Sequence, residues 1–355
     1  MPEVTVLMPV YNAGRFLRAA IDSILTQTFE NYEFLIINDA STDMSRSVIT
    51  SYRDERIRLV DNERNLGLTG TLNKGLRLAS GEIIARHDAD DIAHPRRLEE
   101  QLQFLRQHSD VVLVGSQSWV IDEDGNYRGI ILSKCCEERS IRWDLLFDNS
   151  FIHSAVMFRK DAIFNKLGGY DESFVFCQDY ELWSRVASGY RLCNLPARLM
   201  LYRTHPDSMT ERMREISVLE NHRIIQRNMN EFFGDGSVSN EEMDLIIRYR
   251  YGMEFDRVSL RCLLNMMKRL REQYERRYPG VDSCRDYKKA IARQYAKLIY
   301  RVAQAHPTLS LTILSRDILR YPLIAVSISW CAFLVLAVWK NSFRKFAKRP
   351  SSGWI

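Results

Sequence analysis

The chain has 355 residues, 46% hydrophobic and 27% charged, which excludes a disordered class and leaves room for one large domain or two ordinary ones. Its net charge of +5 is modest and gives no reason to expect nucleic acid as a partner. Seven cysteines, with no Cys-x-x-Cys pair and no regular spacing, fit reduced thiols rather than a disulfide framework. Val4–Met8 then reads as a β-strand and Gly14–Thr26 as a helix with Phe16, Leu17, Ala20, Ile21, Ile24 and Leu25 on one face. Phe34–Ile37 is a second strand, Asp43–Tyr52 a helix, Ile57–Val60 a strand, Leu68–Ala79 a helix and Ile83–Ala85 a strand. Arg96–His108 is a helix opened by Pro95, and Val111–Val114 the next strand. Strands separated by helices indicate parallel pairing through βαβ crossovers.

Past Ser116 the pattern loosens. Asp122-Glu123-Asp124-Gly125 reads as a hairpin turn, Glu137–Phe147 as helical and Ala155–Phe158 as a short strand. Gly168-Gly169-Tyr170-Asp171 is a loop before a helix over Tyr180–Ala187, and Leu199–His205 closes the region. From Glu211 to about Ala305 the sequence is helical and rich in Arg, so a domain boundary is placed near Met209. The expected fold class is α/β, a Rossmann-like, mostly parallel sheet flanked by helices and followed by a C-terminal helical region.

Polar clusters fall at the strand ends. Pro9-Val10-Tyr11-Asn12 follows the first strand, Asn38-Asp39 the second, Asn65-Leu66-Gly67 the third and Asp88-Ala89-Asp90-Asp91 the fourth. In open parallel sheets ligands bind beyond the carboxyl ends of the strands, so these groups are expected to share one rim. Asp-x-Asp in such a place can hold a hard divalent cation through oxygen while leaving positions for phosphate and water. A solvated, helix-capping turn ahead of Pro95 is the alternative.

The chain resembles the family 2 glycosyltransferases, with their glycosyltransferase-A type nucleotide-sugar domain. The likeness runs through Val6-Leu7-Met8-Pro9-Val10-Tyr11-Asn12, Ile37-Asn38-Asp39-Ala40-Ser41-Thr42-Asp43, Asn65-Leu66-Gly67, Leu72-Asn73-Lys74-Gly75 and Asp88-Ala89-Asp90-Asp91. It continues in Gly168-Gly169-Tyr170-Asp171-Glu172, Gln178-Asp179-Tyr180-Glu181-Leu182-Trp183 and Tyr202-Arg203-Thr204-His205, about two hundred residues in all. The resemblance implies an inverting transferase, a nucleoside diphosphate sugar donor (UDP-linked by preference) and a divalent cation, Mn2+ or Mg2+. Pro9, Val10 and Tyr11 would line the base pocket, Asp39 would accept hydrogen bonds from base or ribose, and Asn65 and Asn73 would support the nucleotide wall. Asp88 would contact the ribose or the metal, Asp90 and His205 would ligate the metal, and Asp91 and His153 are possible donor or acceptor contacts. Asp179 would be the catalytic base, although as an Asp at a helix start it can also cap its own helix. Trp183 can stack on a sugar or fill the core. Relatives often carry Asp-Asp-Gly-Ser where this chain has Asn38-Asp39-Ala40-Ser41, and Arg where Leu72 stands.

Leu323–Trp339 is a charge-free stretch flanked by Arg316 and Arg320 before it and Lys340, Arg344, Lys345, Lys348 and Arg349 after it. Basic residues on both sides suit a re-entrant or in-plane anchor against anionic lipid, with a single span or a buried helix as alternatives. No secretory leader is visible at the N-terminus, so a place on the cytoplasmic face of a membrane is expected. The expected domains are therefore a transferase domain over 1–209, an Arg-rich helical region over 210–308 and a membrane-associating tail over 309–355. A lipid-linked or polysaccharide acceptor in cell-surface glycan synthesis follows from such a tail. The rivals are a catalytically inactive nucleotide-sugar binding or assembly protein, and a sugar-phosphate nucleotidyltransferase. The second usually opens on a glycine-rich basic loop, which Pro9-Val10-Tyr11-Asn12-Ala13-Gly14 matches poorly.

Overall fold

The computed structural model describes residues 1–132, 134–206, 208–209, 213–251, 256–292 and 294. The N-terminal part alternates strand and helix: β1 (Val4–Val10), α1 (Gly14–Leu25), β2 (Tyr32–Asn38), α2 (Ser45–Thr50), β3 (Ile57–Asp61), α3 (Gly67–Leu78) and β4 (Ile83–Arg86). β5 (Ile92–Ala93), α4 (Arg97–Gln107), β6 (Val111–Ile121), β7 (Tyr127–Leu132) and α5 (Glu138–Asp144) follow. Then come β8 (Met157–Arg159), α6 (Gln178–Gly189), β9 (Arg191–Arg203) and α7 (Arg214–Phe233). The described strands form one sheet in the order β3-β2-β1-β4-β8-β6-β9-β5, with β7 paired to β6.

The first four strands in that order are parallel, with Val10 opposite Asn38 and Leu7 opposite Arg86. β1 lies between two strands and is covered on both faces, so all seven of its residues are buried and it reads as an unbroken apolar run. Leu17, Ala20, Ile21 and Ile24 of α1 recur at helical spacing and join Val4, Val6 and Met8 in one core cluster. β8 enters antiparallel to β4 and β6, and β9 then runs parallel to β6, so the sheet is mixed in its second half.

Here the structure extends the sequence reading. β6 continues seven residues past Val114, because Ser116, Gln117 and Ser118 are buried yet hydrogen-bonded. Gln117 accepts from the Lys134 N–H at 2.5 Å and donates to the Lys134 carbonyl at 3.1 Å. β9 begins at Arg191, well before the expected Leu199. A π-helical turn, Asp161–Lys166, and the two-residue β5 had no signature in the apolar pattern.

The described chain divides into two units between Asn228 and Met229, within α7. The second unit contains α8 (Asn240–Tyr251) and α9 (Arg257–Arg277); the Asp256 side chain caps α9 by accepting from the Ser259 N–H at 2.7 Å. No helix among the described residues is long and apolar enough to cross a membrane. The expected tail over 309–355 lies outside the described residues.

Candidate functional site

The loops that leave β1 and β2 are tied to each other. Asp39 N–H donates to the Val10 carbonyl at 2.8 Å, Asn12 N–H to the Ser41 hydroxyl at 3.1 Å and Thr42 N–H to the Asn12 side-chain oxygen at 2.8 Å. Asp43 accepts from the Gly14 N–H and the Ser45 N–H, both at 2.9 Å, so it caps across the two loops instead of opening a longer helix. Asn12 and Ala40 both hold a left-handed backbone, with φ of 51° and 54°. The pairing holds Asp39 at the strand ends, where the residue is only 3% exposed. Its Oδ1 accepts from Asn62 Nδ2 at 2.7 Å and from Leu66 N–H at 2.8 Å, and among the described residues Oδ2 has no hydrogen-bond partner. Tyr11 is 54% exposed beside it along the strand ends, while Val10 is buried and Pro9 lies within β1. Asn65 donates to the Asp39 carbonyl at 3.4 Å and accepts from Gly67 N–H at 3.0 Å, closing the turn into α3.

β4 delivers the acidic run. Asp88 is ion-paired with Arg86, whose side chain is only 1% exposed. Asp90 Oδ2 meets His205 Nε2 at 3.0 Å, across 115 residues of chain, and the Asp90 carbonyl accepts from Arg203 Nε at 2.8 Å. The His205 ring lies 4.8 Å from that of Phe16, so α1 backs it. Asp91 is turned inward: Ser154 Oγ donates to one oxygen and the Arg203 N–H to the other at 2.7 Å. It was expected as a donor or acceptor contact, but both its oxygens are engaged and only 1% of the residue is exposed.

The carboxyls of Asp88, Asp90 and Asp91 lie within 4.8 Å of one another. Burial, then the Asp90 and Asp88 charges, push the Asp91 carboxyl well up. Burial also raises Asp88, against the pull of Arg86 and with Asp90 adding to the rise. A cation relieves crowding of this kind. Among the described residues the group that could hold a cation is Asp88, Asp90 and Asp91, with His205 against Asp90 and both Asp91 oxygens already engaged. Carboxylate oxygens suit a hard divalent cation such as Mg2+ or Mn2+.

Asp179 stands in the first turn of α6. Its Oδ2 accepts from Asn149 Nδ2 at 2.7 Å and its Oδ1 from the Tyr180 N–H at 2.7 Å. The N-cap of α6 is Cys177, which makes no side-chain capping bond, so Asp179 is not the cap of its own helix. Burial raises the Asp179 carboxyl, and the Tyr180 N–H, Asn149, Arg86 and Lys134 pull it back down. The Arg86 charge thus acts on both Asp88 of the acidic run and Asp179 at the start of α6.

The remaining expected residues support this arrangement. Asn73 was expected in the nucleotide wall, but its amide serves the loop before α6. Nδ2 donates to the Tyr170 carbonyl at 2.8 Å and to Glu172 at 3.0 Å, and Oδ1 accepts from Tyr170 N–H at 2.9 Å. Gly169, at φ 76°, is needed there, because a Cβ would stand 2.7 Å from Asn73 Oδ1. His153 Nε2 pairs with the Tyr170 hydroxyl at 2.9 Å, and burial, with Arg86 nearby, holds its pKa well down, so the ring is neutral. Trp183 is 0% exposed and packs against the rings of Phe151, His153, Phe158 and Tyr170, so it has no surface to offer a sugar. Arg86, Ser154, Arg203 and Asn149 were given no role in the sequence reading, although Arg86 opens the acidic run, Asn149 and Ser154 bound the segment around His153, and Arg203 stands beside Thr204-His205.

Comparison with known proteins bears on the family and the fold. The family model for "Glycosyl transferase family 2" matches residues 5–164. EpsE of Bacillus subtilis is 36% identical over 217 residues, covering 59% of this chain and 76% of EpsE. The Escherichia coli protein WfgD, named a UDP-Glc:alpha-D-GlcNAc-diphosphoundecaprenol beta-1,3-glucosyltransferase, is 31% identical over 183 residues, covering 52% of this chain and 69% of WfgD. The fold matches the crystal structure of S. aureus TarS 1-349 in complex with UDP-GlcNAc at a TM-score of 0.55 and 15% identity, over 97% of this chain and 92% of that one. The architecture is accordingly that of the glycosyltransferase-A type.

Proposed function

The chain belongs to glycosyl transferase family 2, and on that premise we propose that it moves a sugar, with inversion, from a UDP-linked donor to a lipid-linked or polysaccharide acceptor in cell-surface glycan synthesis. The relative WfgD carries both a UDP-sugar donor and a lipid diphosphate acceptor in its name, which favours this donor and acceptor class. Asp39 Oδ2 would accept an N–H of the base and the exposed Tyr11 ring would stack on it, a reading supported, among the described residues, by the engagement of Oδ1 alone and by the exposure of Tyr11. Asp88, Asp90 and His205 would hold a divalent cation, which when bound stabilises the negative charge that develops on the diphosphate leaving group. The observation that carries the reading is the Asp90–His205 contact at 3.0 Å, which joins two segments distant in sequence beside Asp88.

Asp179 takes the proton of the acceptor hydroxyl as that oxygen bonds to the anomeric carbon and the bond from carbon to the diphosphate oxygen breaks. One displacement inverts the centre, and a diphosphate leaves without a protonating acid, so a single carboxylate suffices. The raised Asp179 pKa suits a base that must accept a proton, and the Asn149 and Tyr180 donors aim its oxygens. The hydrophobic, basic-flanked stretch over 309–355 favours work at a membrane surface, where a lipid-linked acceptor would be found.

The test is UDP release by the full chain from a panel of UDP-sugars, with an acceptor lipid extract, in Mn2+ and after chelation. Asp179→Asn should keep UDP binding and lose about 10²–10⁴-fold in turnover, the usual contribution of a positioned base. Asp90→Ala should lose metal-dependent binding. Undiminished turnover by Asp179→Asn removes the base assignment. UDP-sugar binding without turnover in the parent chain favours the inactive binding protein.

A further inference from the structure

Helix α6 carries Asp179 but has no side-chain cap of its own. The amides ahead of it are received from elsewhere. Val175 N–H donates to Glu220 Oε1 at 2.7 Å, and Phe176 and Cys177 N–H donate to Glu220 Oε2 at 3.0 and 2.7 Å. Three consecutive backbone donors thus converge on one carboxylate of α7, and the residue is only 5% exposed. Such charge-assisted bonds are shorter and stronger than neutral ones, and a negative group at a helix N-terminus is favoured by the peptide dipoles. The same loop is held from the donor side, where Thr69 Oγ1 donates to the Phe174 carbonyl at 2.8 Å and Asn73 grips Tyr170.

We propose that Glu220 is a positioning residue for the transfer reaction: by gathering the amides of Val175, Phe176 and Cys177, it sets the first turn of α6 and with it the aim of the Asp179 carboxylate. The inference rests on the reading of Asp179 as the base. α7 is suited to the task because it is fixed along α6 at two further points on the same face. Arg227 pairs with Glu181 at 2.5 Å, and Asn228 Nδ2 donates to Ser184 Oγ at 2.9 Å. Residues 220, 227 and 228 are spaced by about two helical turns, so one face of α7 carries all three. A base displaced by a fraction of an ångström loses alignment with the acceptor hydroxyl without any change in the nucleotide pocket, which lies at the ends of β1 and β2.

Glu220 acting through Asp179 predicts a defined pattern in a mutant cycle. The variants are Glu220→Gln, Glu220→Ala, Asp179→Asn and the Glu220→Gln/Asp179→Asn double variant, each as the full chain with Mn2+, UDP-sugar and the acceptor lipid extract. Rates are expressed per UDP-binding site measured by titration calorimetry, so that loss of folded protein does not count. Glu220→Gln should lower kcat about tenfold and Glu220→Ala more, with the dissociation constant for UDP unchanged. In the Asp179→Asn background, Glu220→Gln should change the residual rate less than twofold. The proposal is overturned if Glu220→Gln leaves kcat per site unchanged, if UDP affinity falls in step with kcat, or if the substitution lowers the residual Asp179→Asn rate as much as the parent rate. If Asp179→Asn alone retains full turnover, the base assignment fails, and that result is separate from any shown by the Glu220 variants.

Discussion

At Ala40 the backbone holds φ of 54°, a left-handed conformation that an L side chain adopts at a cost of about 1–2 kcal/mol. The resemblance places glycine at this position in many relatives, and the structure gives the reason: the loop must turn back so that Ser41 and Thr42 meet Asn12. Ala40→Gly is therefore expected to stabilise the protein by about 0.5–1 kcal/mol after the extra chain entropy of glycine is allowed for, visible as a higher midpoint in thermal unfolding. A lower midpoint would show that the loop is not strained. Asp179 yields a prediction in pH. Its carboxyl is raised by burial and held back by donors to the ionised form, so as the proposed base it would be active above its pKa and the rate should fall as pH drops through it. Asn149→Ala removes one such donor, so the pKa rises further and the acid limb of kcat should move to higher pH. An unmoved limb, or one shifted to lower pH, would separate Asn149 from the function of Asp179.

The first half of the sheet was legible because its strands are buried on both faces and its helices repeat apolar residues at helical spacing. Polar burial defeated the same logic further on: Ser116, Gln117 and Ser118 look like a loop and lie in a strand core, satisfied by partners such as Lys134 that no local pattern identifies. The acidic run and His205 were expected to share a site, and the structure brings His205 to Asp90. The inward turn of Asp91 was not, since it depends on Ser154 and on the register of β9. Asn73 was read as part of the nucleotide wall because it follows a nucleotide-side motif, yet it fastens the loop ahead of α6. That loop gives the element-scale prediction. Gly169→Ala places a side chain at φ 76° with its Cβ 2.7 Å from Asn73 Oδ1, so the Asn73 bond to Tyr170 N–H must give way. The expected loss is about 2–3 kcal/mol, from left-handed strain plus a broken buried hydrogen bond. Chemical denaturation measures it, and a change below about 0.5 kcal/mol would mean the loop yields without involving Asn73.

The site residues all lie within Met1–Asn228, and this unit reaches past the boundary that composition suggested near Met209. The reason is physical. The Arg-rich segment after Met209 begins with α7, whose Glu220, Arg227 and Asn228 bond to the loop ahead of α6 and to α6 itself. A change in composition marks where charge accumulates, whereas a unit ends where such bonds stop. Two shortened chains distinguish these edges. One ended after Phe233 keeps the whole of α7 and is expected to bind UDP with Mn2+ as the full chain does. One ended at Met209 leaves the Val175, Phe176 and Cys177 amides without their carboxylate and Glu181 without Arg227. With charge-assisted bonds contributing about 1.5–3 kcal/mol each, its loss should be on the order of 4 kcal/mol or more. Its unfolding midpoint should fall well below that of the longer piece, and turnover per UDP-binding site should fall with it. Equal midpoints and equal turnover in the two pieces would place the functional edge at Met209 and leave α7 outside the catalytic unit.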